Sequence, residues 1–283
     1  MVAQKLLVCL SIALAGALGC SSDPAAATSS SGQGGAGEGG GGDGGTVVID
    51  KGPTGSIFAD ADTNDGGDTL VQAAFQRQLP SMCDAEVDGT CKFIDCSNAQ
   101  MPAYVAAGTL DVSGANSPIS ADPTSGGAYY FEQGSTELWN SGTDLTFKFA
   151  GSTDVPAFSL TATSPPPPLV KDPMFADFGM VPITRAAGLD VTWSGLTDEL
   201  MQVAFTNFDG STQLVCAFDG ASGKATVPAA ALLRMDPSDD WVITIRATTE
   251  KTTKSGDFDV TLDLSARGVS ANGTGADGEV LLH

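Results

Sequence analysis

The sequence predicts an all-β protein: two antiparallel, immunoglobulin-like β-sandwich domains behind a disordered Gly/Ser-rich tether. Three observations lead there. Apolar and polar residues alternate in short runs through the second part of the chain. Gly, Pro, Asn and Asp separate those runs at spacings of about ten residues, as in sandwiches. Four consecutive prolines, Pro165 to Pro168, divide the region into two stretches, each of a common domain size.

Residues 1–19 have the parts of an export signal. Lys5 is their only charge, Leu6 to Leu18 are nearly all apolar, and Gly19 is a small residue at the cut. An apolar run of about 13 residues is too short to span a bilayer core, which needs roughly 20. The box Ala17-Leu18-Gly19-Cys20 resembles a bacterial lipobox, with Ala17 where Leu, Val or Ile is usual. Lipidation of Cys20 is therefore expected. Ordinary cleavage after Ala17 or Gly19 is the rival reading. Ser21 and Ser22 follow the Cys. In the Gram-negative lipoproteins this segment resembles, the absence of Asp there favours the outer membrane. Two or more acyl chains make such an anchor stable.

Residues 20–67 read as the lipidated Cys and a tether. Residues 21–56 are Ser, Ala and Gly with few apolar side chains, and Gly34 to Gly45 is almost pure Gly. Such a composition cannot bury a core. As a flexible chain of about 36 residues it would reach roughly 33 Å. At its end Asp60, Asp62 and Asn64 resemble the first alternate oxygens of a calcium loop. The Gly expected at the sixth position is displaced to Gly66 and the closing Glu is missing. A solvated linker is the plainer reading, and calcium is the one cofactor left open.

The first sandwich is expected over 68–164. Residues 69–79 are ambiguous: Asp68 could cap a helix, but Val71, Ala73 and Phe75 alternate as in a strand. Leu145, Phe147 and Phe149, then Phe158, Leu160 and Ala162, follow period two. The prolines at 165–168 form a stiff extended link. The second sandwich is expected over 169–283, with a single larger sandwich as the alternative. Leu189, Val191 and Trp193 alternate, as do Leu214, Cys216 and Phe218. Pro228 to Met235 is a short helix candidate, stopped by Pro237. Trp241, Ile243, Ile245 and Ala247 face the same side as Phe258, Val260, Leu262 and Leu264. A turn at Ser255-Gly256 would pair Thr253 with Phe258 and Ala247 with Leu264. Asp257, Asp259 and Asp263 then share one side of the second strand. They read as a solvated outer face that protects an edge from aggregation, with a cation or partner seat as the sharper alternative.

Six cysteines are present. Cys9 leaves with the signal and Cys20 carries the lipid. Cys83, Cys91, Cys96 and Cys216 remain, an even number in an exported chain, and disulfides are the natural reading. One bridge within the 83–96 cluster and one from the cluster to Cys216 are expected, with the connectivity open. The spacings are not those of paired zinc ligands, and the only His is His283.

"CDAEVDGTCKFIDC" (83–96), "AGTLDVSG" (107–114), "DVPAFSLTATSP" (154–165), "LDVTWSG" (189–195) and "TVPAAAL" (226–232) together resemble uncharacterised secreted lipoproteins of myxobacteria and their relatives. The resemblance implies lineage, fold type and export, and transfers no catalytic residue.

The formal charge is −21. So acidic a chain is repelled by nucleic-acid phosphates and anionic lipid heads, which argues against nucleic acid as a partner. A histidine base is nearly excluded, since His283 is terminal. No pair of acids is marked out by aromatic platforms: Trp139, Trp193 and Trp241 each fit a core or an edge strand. The expectation is a non-enzymatic, lipid-anchored outer-membrane protein with a structural, adhesive or protein-interaction role. Its partners would be the membrane, through the lipid, and an envelope or surface protein or glycan. A calcium- or carbohydrate-binding surface module is the alternative, with a hydrolase third.

Overall fold

A computed structural model describes residues 52–61, 68–77, 84–97, 103–134, 138–175, 180–238 and 240–283. The fold is an all-β sandwich. Among the described residues, its largest sheet has eleven strands. Nine lie side by side in the order β3 (Asp84–Asp88), β4 (Cys91–Asp95), β14 (Thr212–Asp219), β13 (Leu200–Asn207), β16 (Trp241–Ser255), β17 (Phe258–Arg267), β1 (Thr54–Ala61), β2 (Asp68–Gln76) and β7 (Tyr129–Gly134). β19 (Asp277–Leu282) pairs with β16, and β11 (Val181–Ile183) with β19. Most neighbours are antiparallel, but β1 runs parallel to β17.

Two four-stranded sheets cover one face of this large sheet, side by side. The first contains β6 (Ile119–Ala121), β5 (Leu110–Ser113), β8 (Asp144–Phe149) and β9 (Phe158–Thr163). The second contains β15 (Lys224–Val227), β12 (Leu189–Ser194), β10 (Leu169–Asp172) and β18 (Val269–Ser270). The alternation that predicted these strands is the burial pattern itself. Leu145, Phe147 and Phe149 are buried on β8, and Val191 and Trp193 on β12. Each sheet must bury one apolar face against another layer, and among the described residues two large cores form in this way, beside a small cluster of Ile94, Cys96, Ala204 and Val215. In one, Phe75 meets Tyr129, Phe149, Phe158 and Phe258 edge to face at 5.1–6.3 Å between ring centres. The other gathers Val191, Trp193, Phe205, Leu214, Trp241 and Ile243. The short helix α1 (Ala229–Leu232), with Pro228 at its N-cap, closes this second core with Leu232.

The cores do not divide the chain at the proline run. Pro165 to Pro168 carry the chain from β9 in one small sheet to β10 in the other. Yet β17, near the C-terminal end, packs Phe258, Val260, Leu262 and Leu264 into the core that holds β1, β2 and β7. The β3–β4 hairpin goes the other way and pairs with β14 in the second half of the chain. The expected 68–164 and 169–283 segments therefore exchange strands. The large sheet is continuous across both cores, with β16 and β17 at the seam.

The expected tether also ends earlier than residue 67. Thr54–Ala61 is a strand with every residue buried, held between β17 and β2. Residues 1–51, with the signal segment and Cys20, and residues 62–67 lie outside the described residues. Residues 68–76 form a strand, as the alternating reading had it. The terminal hairpin keeps its expected face but not its expected register. Ser255 pairs with Phe258, and Ala247 with Ala266. A two-residue connection replaces the four-residue one because Gly256 adopts φ 58°, which suits a primed turn. The slip is by two residues, an even number, so the apolar set stays on the core side.

Candidate functional site

The other face of the large sheet carries the charged residues that matter. Their placement follows from period two: on β1, Ile57 and Ala59 enter the core, so Phe58 and Asp60 point to the opposite side. Register then sets the rows. Glu250 (β16), Asp263 (β17), Phe58 (β1), Gln72 (β2) and Tyr130 (β7) form one row. Thr248, Ser265, Asp60 and Leu70 form the next, and Gln202, Arg246 and Arg267 the one after.

Asp60 is the centre of the network. Its Oδ1 accepts from Ser265 Oγ at 2.6 Å, and its Oδ2 from Arg267 Nε at 2.7 Å. Burial alone would raise its pKa. The Arg267 and Arg246 charges and the two hydrogen bonds outweigh that and hold it below the ordinary carboxylate value. Arg246 donates from Nε to Gln202 Oε1 at 3.1 Å, and its guanidinium carbon lies 5.0 Å from the centre of the Phe58 ring. Burial lowers the Arg246 pKa, against the pull of Asp60 and Asp263.

Asp263 is different. It is 4% exposed, and its Oδ1 is buried without a hydrogen-bond partner. Burial and the neighbouring Glu250 push its pKa up to about 7, with Arg246 pulling the other way. Burial also raises Glu250. Thr248 Oγ1 and both amide atoms of Gln72 are likewise buried and unpartnered.

These facts correct two expectations. Asp60 is not a loop ligand: it is a strand residue committed to Arg267 and Ser265, while Asp62 and Asn64 lie outside the described residues. Asp263 does not belong to a solvated outer face: it is 4% exposed, on a strand that lies between β16 and β1 rather than at an edge. Asp259 does stay exposed and pairs with Lys254 at 2.6 Å. Among the described residues, no group of three or more His, Cys, Asp or Glu could hold a metal ion.

Cys91 and Cys216 are joined by a disulfide and are direct cross-strand partners on β4 and β14. Cys96 is also disulfide-bonded, and Cys83 lies outside the described residues. The tryptophans are core residues: Trp193 Nε1 donates to Gly220 O at 2.7 Å and Trp241 Nε1 to Asp236 O at 3.2 Å. Trp139 is 1% exposed. His283 meets Thr184 Oγ1 at 2.9 Å. The Asp60–Arg267 pair and the Glu250–Asp263 pair were missed from sequence. The available signal was the alternation of β1, where Asp60 has the parity of Phe58 rather than of Ile57 and Ala59.

No family model matches the chain, and no curated protein does. Among solved structures, it is similar to one described as giving insight into host cell surface retention of a 1.5-MDa bacterial ice-binding adhesin. Identity is 8%, over 78% of this chain and 66% of that one, with a TM-score of 0.23. A second is of fibronectin(III)-like modules of Clostridium thermocellum CbhA. Identity is 13%, over 77% of this chain and 96% of that one, with a TM-score of 0.19. The chain spans just under two thirds of the adhesin structure's length.

Proposed function

We propose that this chain is a lipid-anchored protein of the bacterial cell envelope, with a structural, adhesive or protein-interaction role and no catalysis of its own. The observation that carries the reading is the export signal ending in Ala17-Leu18-Gly19-Cys20. The body behind it suits a mechanical or display role. Asp60 is held by Arg267, and Arg246 is hydrogen-bonded to Gln202. Its tryptophans fill cores. A cross-strand disulfide braces one end of a sheet that runs through both cores, as expected for a protein folded outside the reducing cytoplasm.

Labelled-palmitate incorporation tests this directly. The wild-type chain should take up label and fractionate with the outer membrane. Cys20→Ala should lose the label. Equal labelling of both forms, or none in either, overturns the anchor.

A further inference from the structure

We propose that Glu250 and Asp263 form a carboxyl pair that holds one proton in the folded protein, making the β16–β17 seam between the two cores tighter in mild acid than in base. The two residues are direct cross-strand partners on adjacent strands. Opposed side chains in such a pair have Cβ atoms about 4.5–5.5 Å apart, and two like charges there repel. Asp263 is almost fully buried and its Oδ1 has no partner, so as an anion it would keep an unmet desolvation cost.

The surrounding charges do not remove that cost. From β16, Arg246 faces Asp263, but it is shared with Asp60, bonded to Gln202 and stacked on Phe58. From β1, Asp60 adds a negative charge one row away and is itself held by Arg267 of β17. From β2, the nearest side chain is the neutral amide of Gln72. On β7, Glu132 lies at the end of the Asp60 row. The exposed Lys254–Asp259 pair sits two rows off. Arg246 and Arg267 both act on Asp60, whereas Asp263 has only the shared Arg246 to set against Glu250 and its own burial. One retained proton relieves the repulsion between Asp263 and Glu250. When it leaves for bulk water, the pair carries a net extra negative charge inside the sheet.

The direction of the pH effect follows. Asp263 titrates at about 7 in the folded protein, against an ordinary value of 3.8. Between those values the folded state binds more protons than the unfolded state. Stability from this group is therefore fully present below 3.8 and is lost as pH rises through about 7.

The test uses the full chain. Urea unfolding at intervals from pH 5 to 9 should show the folding constant falling as pH rises to about 7, by at most tenfold per unit for one proton, and levelling above 8. Asp263→Asn, which mimics the protonated form, should flatten that dependence. The side-chain carboxyl carbon of Asp263, followed by NMR in the wild-type protein, should titrate near neutrality, and Glu250→Gln should move that midpoint down. Amide exchange corrected for its intrinsic rate should lose protection at Leu262 and Leu264 above the midpoint. A carboxyl carbon titrating below pH 5, or an Asp263→Asn chain with the wild-type slope, overturns the proposal. If that variant fails to fold, the carbon titration of the wild type decides alone.

Discussion

Removing the Asp60 carboxylate would leave the Arg267 guanidinium without its counter-charge on β1. The two side chains are 3% and 29% exposed, so water could not fully replace the lost partner. Breaking a buried pair by deleting one member costs about 3–5 kcal/mol, and the partial exposure of Arg267 places Asp60→Asn toward the lower end. Equilibrium urea unfolding at pH 7 should show a loss of about 3 kcal/mol. Exchange of Ser265→Ala should cost no more than that, about 1.5–3 kcal/mol, since it removes one hydrogen bond to a charged group. The Asp60 contribution has the opposite pH sense to that of Asp263. Its folded pKa is lowered, so its stabilisation is present above 3.8 and is lost as pH falls through the folded value. Together the two carboxyls predict a stability maximum close to pH 3.8, where the Asp60 contribution is complete and the Asp263 contribution has yet to fall. Neither environment was legible in sequence. Asp60 and Arg267 are 207 residues apart, and no local pattern announces a contact of that range. Asp263 reads as solvated if its strand is an edge, and the parallel pairing of residues 54–61 with residues 259–266 leaves no local trace.

At the scale of elements, local chemistry was readable and long-range pairing was not. The alternating runs on β8, β9, β12 and β14 named the buried faces because period two records which side of a strand is dry. The terminal hairpin shows the limit of such reading. The pattern predicts its buried faces but not its register, which is tighter by two residues, since periodicity alone cannot separate registers that differ by an even step. Gly256 settles the matter at φ 58°, with Pro156 carbons 3.1 Å from where a Cβ would stand. A β-branched residue there must accept both strain and crowding. Gly256→Val should destabilise by about 1–2 kcal/mol, while Gly256→Asn, which tolerates the left-handed region, should cost less. Thermal or urea midpoints of the two variants would distinguish this turn from a four-residue loop, where both substitutions would be nearly neutral. β1 was missed for a related reason. Gly55, Ser56 and Asp60 dilute its apolar pattern, and Gly55 is there to admit the Phe75 ring, whose carbons lie 2.6 Å from the site of a Cβ.

For the whole molecule, the shared sheet decides how the protein should come apart. Proline runs and domain-sized segments suggested two bodies that fold separately. Instead β17 serves the core formed by β1 and β2, and β3–β4 serves the core of β13 and β14, so each core needs strands from distant parts of the chain. The Cys91–Cys216 bridge closes a loop of the same long range, with a sequence separation of 125. Chain-entropy arguments give such a cross-link about 4–5 kcal/mol, with about 2–5 kcal/mol typical for loss of a native bridge. A Cys91→Ser, Cys216→Ser double variant should therefore unfold at much lower urea than the oxidised wild type. The same experiment addresses cooperativity. Trp139 reports on the core with Phe75, whereas Trp193 and Trp241 report on the other. In chains that keep one reporter set at a time, the wild-type transitions should coincide, because unzipping β16 from β17 exposes both cores at once. The bridge lies in only one core, yet its removal should shift both reporters by the same amount. Two separate midpoints, with only the Trp193 and Trp241 signal displaced, would mean that the continuous sheet does not couple the halves.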